Sequence, residues 1–298
     1  MGTRITQNMM NTQLMRNLNS NMRRMDNSQN QLATGRRINK PSDDPVGIAF
    51  ALRYRSEIAA NDQYESNANA AVSWMDYTDV TMNQAGSVLQ RVRELTVEAA
   101  NGTNSPESLQ AIKSEVTQLT EQMVTIGNSE FNGKQIFNGQ LTDKRPYTLE
   151  NAENEETDQS NINFELGAGV KIAISVNGDQ VFGKAGDEDN LFKVLKDIQK
   201  SMDANDMKAL TDGIGRLDKR MDAFLETRAD IGAKTNRIEM IQDRLKDIGI
   251  NLTTLQSKTE DADVAAVITS LKTDENVYNS SLDVGAKLIK PSLIDFLR

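Results

Sequence analysis

Residues 106–127 have the sequence PESLQAIKSEVTQLTEQMVTIG, and this stretch decides the fold class. Its large apolar side chains recur at alternating intervals of three and four residues, at Leu109, Ile112, Val116, Leu119, Met123 and Ile126. That spacing places them on one face of an α-helix and predicts packing against other helices. Ser105 before Pro106 fits an N-cap followed by proline at the first helical position, and Gly127 fits the helix end.

The same periodicity continues toward the N-terminus. Asp44-Pro45 repeats the cap chemistry and introduces a very long predicted helix that reaches about Ala100. Before it, a thinner apolar stripe predicts a first helix that ends at Gly35, with polar residues on its other faces. The loop from Arg36 to Asp44 separates the two helices. The stripe of the first helix consists of Met15, Leu18, Met22, Met25 and Leu32.

Helical periodicity also dominates the C-terminal third of the chain. From residue 191 onward the apolar residues form two successive stripes, and the frame shifts between them near Gly232. The first stripe runs from Leu210 to Ile231, and the second from Ile238 to Leu255. A final apolar segment follows, made of Leu282, Val284, Leu288, Ile289, Leu293, Ile294, Phe296 and Leu297.

Residues 128–189 have a different pattern from the flanking helices. Asn132-Gly133 lies between short β-prone runs and predicts a hairpin turn. Residues 170–176 alternate with period two and predict a strand, after which residues 177–179 predict a turn into Val181-Phe182. Residues 140–189 carry eleven acidic and four basic residues, so much of the chain's net charge of −9 belongs to this segment.

These patterns predict a mainly α fold in which the N- and C-terminal regions form a long antiparallel helical bundle or coiled coil around a small β-rich insertion. We assign residues 1–44 with 256–298 to a terminal coiled-coil domain for assembly. Residues 45–139 with 190–255 form a helical rod, and residues 140–189 form the inserted domain. The termini carry opposite charge, seven basic and one acidic residue in 1–40 against five and seven in 256–298, which favours their pairing.

Composition argues against most catalytic and binding functions. The net charge of −9 does not suit a general nucleic-acid binder, and no apolar run approaches a membrane span. The chain has no Cys and no His, which removes thiolate nucleophiles, Ser-His-Asp sites and ordinary zinc sites. A glycosidase needs only two carboxylates, but an insertion of about 50 residues is small for a substrate cleft. We therefore expect no enzymatic activity, no cofactor and no metal.

Charged residues in the loop between the first two helices have two interpretations. Asp43 and Asp44 are either a metal or acid–base pair, or carboxylates that favour a helix N-terminus, and we prefer the latter. Arg36, Arg37 and Lys40 either bind phosphate or lipid, or are solvated or interface charges, and we again prefer the latter. The terminal segments 5–34 and 260–298 are thin and polar, so we expect them to be mobile in the monomer and to order against neighbouring subunits.

Several longer motifs make the chain resemble flagellins and their relatives. They are QLATGRRIN at residues 31–39, DDPVGIA at 43–49, RVREL at 91–95, AANGTN at 99–104 and SLIDFL at 292–297. The resemblance covers roughly residues 5–138 and 190–298. Its signature loop contains Gly35, Arg36, Ile38, Asp43, Asp44 and Pro45.

Within that superfamily the chain is most similar to the hook-filament junction proteins, or type 3 hook-associated proteins. Residues 40–45 contain two prolines where flagellins are usually alanine-rich, and residues 133–139 resemble the junction proteins' Phe-x-Gly segment. The C-terminal LIDFL also departs from the usual flagellin ending. The resemblance implies a structural adaptor that joins the first hook-associated protein to the flagellin filament and self-associates there. The alternative is a flagellin, the bulk filament subunit.

The resemblance further implies an extracellular place in the bacterial flagellum. Such proteins are exported unfolded by the flagellar type III apparatus without a cleaved signal peptide, and this N-terminus lacks the apolar core of one. A cytoplasmic chaperone is expected on the C-terminal helix, at Leu282, Val284, Leu288 and Leu293. The two terminal apolar stripes are the expected assembly interface. No nucleic acid or membrane partner is implied.

Overall fold

The computed structural model describes residues 7–102 and 104–289. Long helices dominate it, and the few strands form two small antiparallel pairs. The mainly α architecture predicted from the sequence is confirmed. In chain order the described elements are α1 Gln7–Thr34, α2 Pro45–Ala100, α3 Pro106–Gly127, β1 Glu130–Phe131, β2 Lys134–Gln135, β3 Asn163–Gly167, β4 Val170–Ala173, α4 Gly178–Phe182, α5 Leu191–Asp203, α6 Met207–Glu260 and α7 Val264–Ile289.

Local sequence signals set most of the helix boundaries. Gly35 has φ 71° directly after α1, a backbone conformation that favours glycine. The side chain of Ser105 accepts a hydrogen bond from the Ser108 amide at the start of α3, with Pro106 as the first helical residue. The hairpin is also confirmed, since Asn132 and Gly133 have φ 52° and 74° between the paired strands β1 and β2.

The region 163–182 differs from its sequence prediction. The predicted strand over 170–176 ends earlier, because β4 stops at Ala173, and its partner β3 had not been predicted. The predicted turn at Asn177-Gly178-Asp179 is instead the start of α4. Near Gly232 the helix α6 continues unbroken. A shift in the apolar stripe therefore changes which face packs without requiring a break in the backbone.

The chain divides into two compact units. One consists of residues 1–60 and 248–298, and the other of residues 61–247. Both boundaries fall inside α2 and α6, whereas the sequence-based domain limits lie at 44/45 and 255/256. Residues 140–189, assigned from the sequence to a separate domain, belong to the second unit.

The second unit holds the large hydrophobic core. Antiparallel α2 and α6 are tied by Arg93 to Asp218 at 2.6 Å and by Arg228 to Asp79 at 2.9 Å. The β1–β2 hairpin packs onto this bundle through an aromatic ring, with a T-shaped contact between Trp74 and Phe131 whose centroids are 5.8 Å apart. A cluster of four further rings fills the base of the insertion, formed by Phe137, Tyr147, Phe182 and Phe192.

Candidate assembly surface

In the first unit, a backbone staple joins the segment after α1 to the segment after α6. The amide of Arg37 donates to the carbonyl of Glu260 at 2.7 Å, and the amide of Ala262 donates to the carbonyl of Gly35 at 2.9 Å. Arg36 and Asp261 form an isolated antiparallel bridge between these bonds. The staple fixes where the N-terminal and C-terminal helices leave the rest of the unit.

Glu260 is the charged centre of this staple. Its side chain is only 1% exposed, and Arg36 Nε lies 2.8 Å from Oε1. Arg55 donates to both carboxylate oxygens, with Nε 3.0 Å from Oε2. Burial alone acts to raise the pKa of Glu260, but the hydrogen bonds from Arg55 and Gln256 and the nearby guanidinium charges outweigh it, so its pKa lies below the usual value. The carboxylate therefore stays ionised and holds the two segments of the staple together.

The carboxylates of Asp43 and Asp44 both accept hydrogen bonds from backbone amides. Asp43 Oδ2 accepts from the amides of Lys40 and Asn39 at 2.9 and 3.0 Å, and these bonds hold its pKa below the usual value. Asp44 Oδ1 accepts from the amide of Gly47 at 2.8 Å, which is the N-cap bond of α2. The interpretation as a carboxylate at a helix N-terminus therefore describes Asp44, whereas Asp43 holds the backbone of the loop before α2.

Ile38 in the signature loop and Gly47 just after it have steric roles. Ile38 is 2% exposed and is one of the few buried apolar residues in the first unit. A side chain at Gly47 would collide with Ile38 Cδ1 at 2.6 Å and with the Asp44 cap. Arg37 Nη2 donates to the carbonyl of Thr259 at 2.8 Å. The loop is thus closely packed and hydrogen-bonded, and Arg36 and Arg37 are engaged within the chain.

Helices α1 and α7 pack against each other in antiparallel order. The partly buried face of α1 follows residues Leu14, Leu18, Asn21, Met25 and Ser28. The facing residues of α7 include Val267, Leu271, Asp274, Tyr278, Ser281 and Gly285. Pairing of the chain ends, expected from the sequence, is therefore present in the structure.

The predicted stripe of α1 divides between two faces. Leu18 and Met25 lie on the face toward α7, whereas Met15, Met22 and Leu32 are 59%, 49% and 38% exposed. The sequence predicts that these apolar residues share one face of α1. The face that contacts α7 instead contains the polar Asn21, and Met22 lies outside it. The exposed methionines are left free for contacts outside the chain.

The C-terminal residues predicted for assembly or chaperone binding have different placements. Leu282 and Val284 are on α7 and are 43% and 54% exposed. Leu288 and Ile289 lie within the last turns of α7. The remaining predicted residues lie outside the described part of the chain, namely Leu293, Ile294, Phe296 and Leu297.

The first unit exposes much apolar surface and buries little. Among its described residues, the only buried hydrophobic side chains are Ile38 and Ala51. Burial of apolar surface is the main favourable term in folding and association, at about 25 cal/mol per Å². The unit therefore has surface to contribute to contacts with other chains. Its exposed large hydrophobic residues are Met9, Met10, Met15, Met22, Leu32, Val46, Phe50, Leu52, Ile250, Leu255, Val264, Ile268, Val277, Leu282 and Val284.

Sequence reasoning missed Glu260, Arg55 and Asn21. Glu260 follows a helical seam as an ordinary acidic residue, and nothing local distinguishes it from its exposed neighbours. Its role depends on Arg55, which is 205 positions away in the chain.

In residues 7–102 and 104–289, no helix is both long and apolar enough to cross a membrane.

Family comparisons agree with this arrangement of terminal helices. The bacterial flagellin N-terminal helical region matches residues 5–142, and the bacterial flagellin C-terminal helical region matches residues 214–297. Flagellin of Bacillus subtilis (strain 168) is 30% identical over 277 residues, which cover 88% of each chain. The chain belongs to the flagellin family. It is a structural component of the bacterial flagellum.

Other relatives of this flagellin-family chain are similar to it over more than two thirds of its length. Flagellin FlaB1 of Treponema pallidum (strain Nichols) is 28% identical over 237 residues, or 79% of this chain and 78% of that protein. A putative flagellar hook-associated protein from Vibrio parahaemolyticus superposes with a TM-score of 0.68 at 16% identity, covering 74% of this chain and all of that one. Bacillus cereus FlgL gives 0.60 at 22% identity, covering 69% and 99%. These structural matches establish the fold.

Proposed function

We propose that this flagellin-family chain is a non-catalytic adaptor at the hook-filament junction, joining the first hook-associated protein to the flagellin filament. The observation that carries the proposal is the segment Phe137-Asn138-Gly139 at the base of the insertion. Phe137 is fully buried, and the Asn138 side chain donates to the carbonyls of Leu141 and Lys144 at 3.1 and 3.0 Å. The motif that separated junction proteins from flagellins in the sequence thus organises the chain locally.

The similar solved structures support the same proposal. Those titled as FlgL or hook-associated proteins are covered over 97% to 100% of their length, with TM-scores from 0.55 to 0.68. The titles of these structures include "flagellar junction protein" for FlgL from Legionella pneumophila. The closely packed loop with Pro41 and Pro45 is the second sequence feature that favours the junction role.

We further propose that the first unit, which holds α1 and α7, is completed by its neighbours in the flagellum. The first hook-associated protein, flagellin and other copies of this chain would cover the exposed residues of α1 and α7. Before export through the flagellar type III apparatus, a chaperone would cover Leu282 and Val284. Both residues are exposed, as a binding surface on the free chain requires.

The alternative function, a bulk filament subunit, is favoured by one specific observation. The Bacillus subtilis relative, 30% identical and covered over 88% of its length, is named flagellin. The two roles differ in copy number and in self-assembly. A flagellin polymerises with itself without limit, whereas a junction protein occupies one short zone between two different partners.

Electron microscopy of flagella from the source cells separates the two roles. Gold-labelled antibody against residues 140–189 should mark one zone at the hook end of each flagellum. The purified chain, under salting-out conditions that polymerise flagellin, should stay monomeric or form short aggregates. Flagellin antibody on the same grids serves as the control for labelling along the filament. Label along the whole filament, or long filaments of this chain alone, would establish the flagellin role instead.

A further inference from the structure

A polar contact lies within the seam between α1 and α7. Asn21 is only 6% exposed although its neighbours on the same face, Leu18 and Met25, are apolar. Its Nδ2 donates to Ser281 Oγ on α7 at 3.3 Å, and its Oδ1 accepts from Arg24 Nη2 at 2.6 Å. Both ends of the buried amide therefore have partners.

The contact extends into a network that crosses the helix pair twice. Arg24 Nε lies 3.3 Å from Asp274 Oδ1 on α7. Ser281 uses its own proton to donate to the carbonyl of Val277 at 2.7 Å, so its oxygen remains free to accept from Asn21. The two links that cross between the helices, Asn21–Ser281 and Arg24–Asp274, each need a particular residue of α7 opposite a particular residue of α1.

A second, steric feature specifies the same alignment. Gly285 is buried, and a Cβ there would lie 2.8 Å from Leu14 Cδ2. Leu14 is therefore accommodated only opposite a residue that has no side chain. If α7 slid by four residues, Gly285 would face Asn21, and the buried amide would lose its hydroxyl partner. An unpartnered buried amide costs about 1–3 kcal/mol.

We propose that Asn21 is a positioning residue that sets the register of the α1–α7 pair. A buried polar residue in a helical seam stabilises less than an apolar one, but it penalises every alignment in which it lacks a partner. Without Asn21, the Leu14–Gly285 contact would be the main remaining obstacle to sliding in a seam of leucine, methionine and serine. The inference goes beyond the proposed function, because it holds for a junction adaptor and for a flagellin alike.

The register would matter in the proposed assembly, in which neighbouring subunits cover the exposed residues of both helices. A slide of four residues moves α7 by about 6 Å along α1. Met15 and Met22 on α1 would then be displaced relative to Leu282 and Val284 on α7 by that distance. Subunits that present different surfaces cannot pack into one regular assembly.

Engineered disulfides can read the register, because the chain has no cysteine of its own. Leu14→Cys with Gly285→Cys reports the observed alignment. Ser28→Cys with Tyr278→Cys reports a slide. Ser28 lines one cleft with Thr273, so Tyr278 lies about 7.5 Å further along the axis, beyond disulfide reach. Each pair is placed in the full-length chain and oxidised both in the monomer and in isolated flagella.

Four backgrounds test the role of the amide: the native Asn21, Asn21→Leu, Asn21→Gln and Asn19→Leu. Asn19 is exposed on α1, so Asn19→Leu makes the same chemical change away from the seam. In the chains with native Asn21, with Asn21→Gln and with Asn19→Leu, we expect a disulfide only between the cysteines introduced at positions 14 and 285. In the Asn21→Leu chain the yield of that disulfide should decrease, and a disulfide between the cysteines introduced at positions 28 and 278 should appear. An Asn21→Leu chain that forms only the first disulfide, at the native rate, would overturn the proposal.

A coupling measurement approaches the contact from α7. Ser281→Ala should slow the first disulfide in the native chain, because it leaves the Asn21 amide without its acceptor. In the Asn21→Leu background the same change should have no further effect. Equal effects in both backgrounds would show that the two residues act independently and would refute the assignment. Failure of the native chain to form either disulfide would refute the register itself.

Discussion

At the scale of single residues, the Glu260 carboxylate joins two arginines, Arg36 and Arg55, within the first unit, called the terminal unit below. Glu260→Gln keeps the size of the side chain but removes the charge that faces Arg36 and Arg55. Because both arginines are partly exposed, we expect a loss of about 1–3 kcal/mol in local stability, below the cost for a fully buried pair. Hydrogen exchange at the Arg37 and Ala262 amides measures it.

Glu275→Gln is the matched control for that substitution. Glu275 contacts Lys272 one turn away on the surface of α7, and exposed pairs of this kind contribute little. In Glu275→Gln, the hydrogen-exchange protection of the Arg37 and Ala262 amides should equal that in the native chain. If Glu260→Gln also left those amides unchanged, the carboxylate would not be holding the staple.

The depressed pKa of Glu260 predicts an acid-sensitive staple. Its folded pKa lies below the ordinary value of 4.5, so its contribution is fully present above pH 4.5 and is lost as pH falls through the folded pKa. Protection factors at the Arg37 amide should therefore drop in acid in the native chain. In Glu260→Gln the protection factor of the Arg37 amide should change less over the same acidic pH range. Equal pH profiles in the two chains would show that Glu260 is not the group responsible.

The turn at Gly139 carries a steric prediction for the second unit. Gly139 has φ 53°, and a Cβ there would meet the backbone carbonyl oxygens of Asp158 and Ser160. We expect Gly139→Ala to destabilise the unit by more than about 2 kcal/mol, through strain and collision with backbone. Denaturant titration followed by Trp74 fluorescence measures it. Gly169→Ala is the control, because Gly169 shares the positive φ but has open space around it; equal losses would show that φ alone matters.

At the scale of helices and strands, capping gives a smaller expected effect. Ser105→Ala removes the bond that Ser105 accepts from the Ser108 amide and should cost about 1 kcal/mol. Ser114→Ala, in the middle of the same helix, removes only a bond from its hydroxyl to the Gln110 carbonyl and should be close to neutral. Thermal unfolding of the second unit compares the two, and equal shifts would argue against the cap.

The elements that were predicted correctly are those with local causes. Proline at a first helical position, glycine in a positive-φ conformation and a stripe of period 3.6 each act within a few residues. The strand β3 was missed because it depends on pairing with β4 rather than on its own residues. Asn21 was missed for a similar reason, since its burial results from a contact with Ser281, 260 positions away.

At the scale of the whole molecule, the unequal distribution of buried apolar residues predicts two unfolding transitions. The extensive core belongs to residues 61–247, whereas the described part of the terminal unit buries only Ile38 and Ala51 among its hydrophobic residues. Less apolar burial gives less stability, so the terminal unit should lose its helices at lower denaturant concentration.

The single tryptophan makes this prediction measurable. Trp74 is 7% exposed within the second unit, in contact with Phe131. Far-UV circular dichroism should therefore fall in two steps with urea, and Trp74 fluorescence should change only in the second. Glu260→Gln should move the first step alone, and Gly139→Ala the second alone. Coincident transitions by both probes, shifted together by either substitution, would mean that the two units fold as one cooperative body.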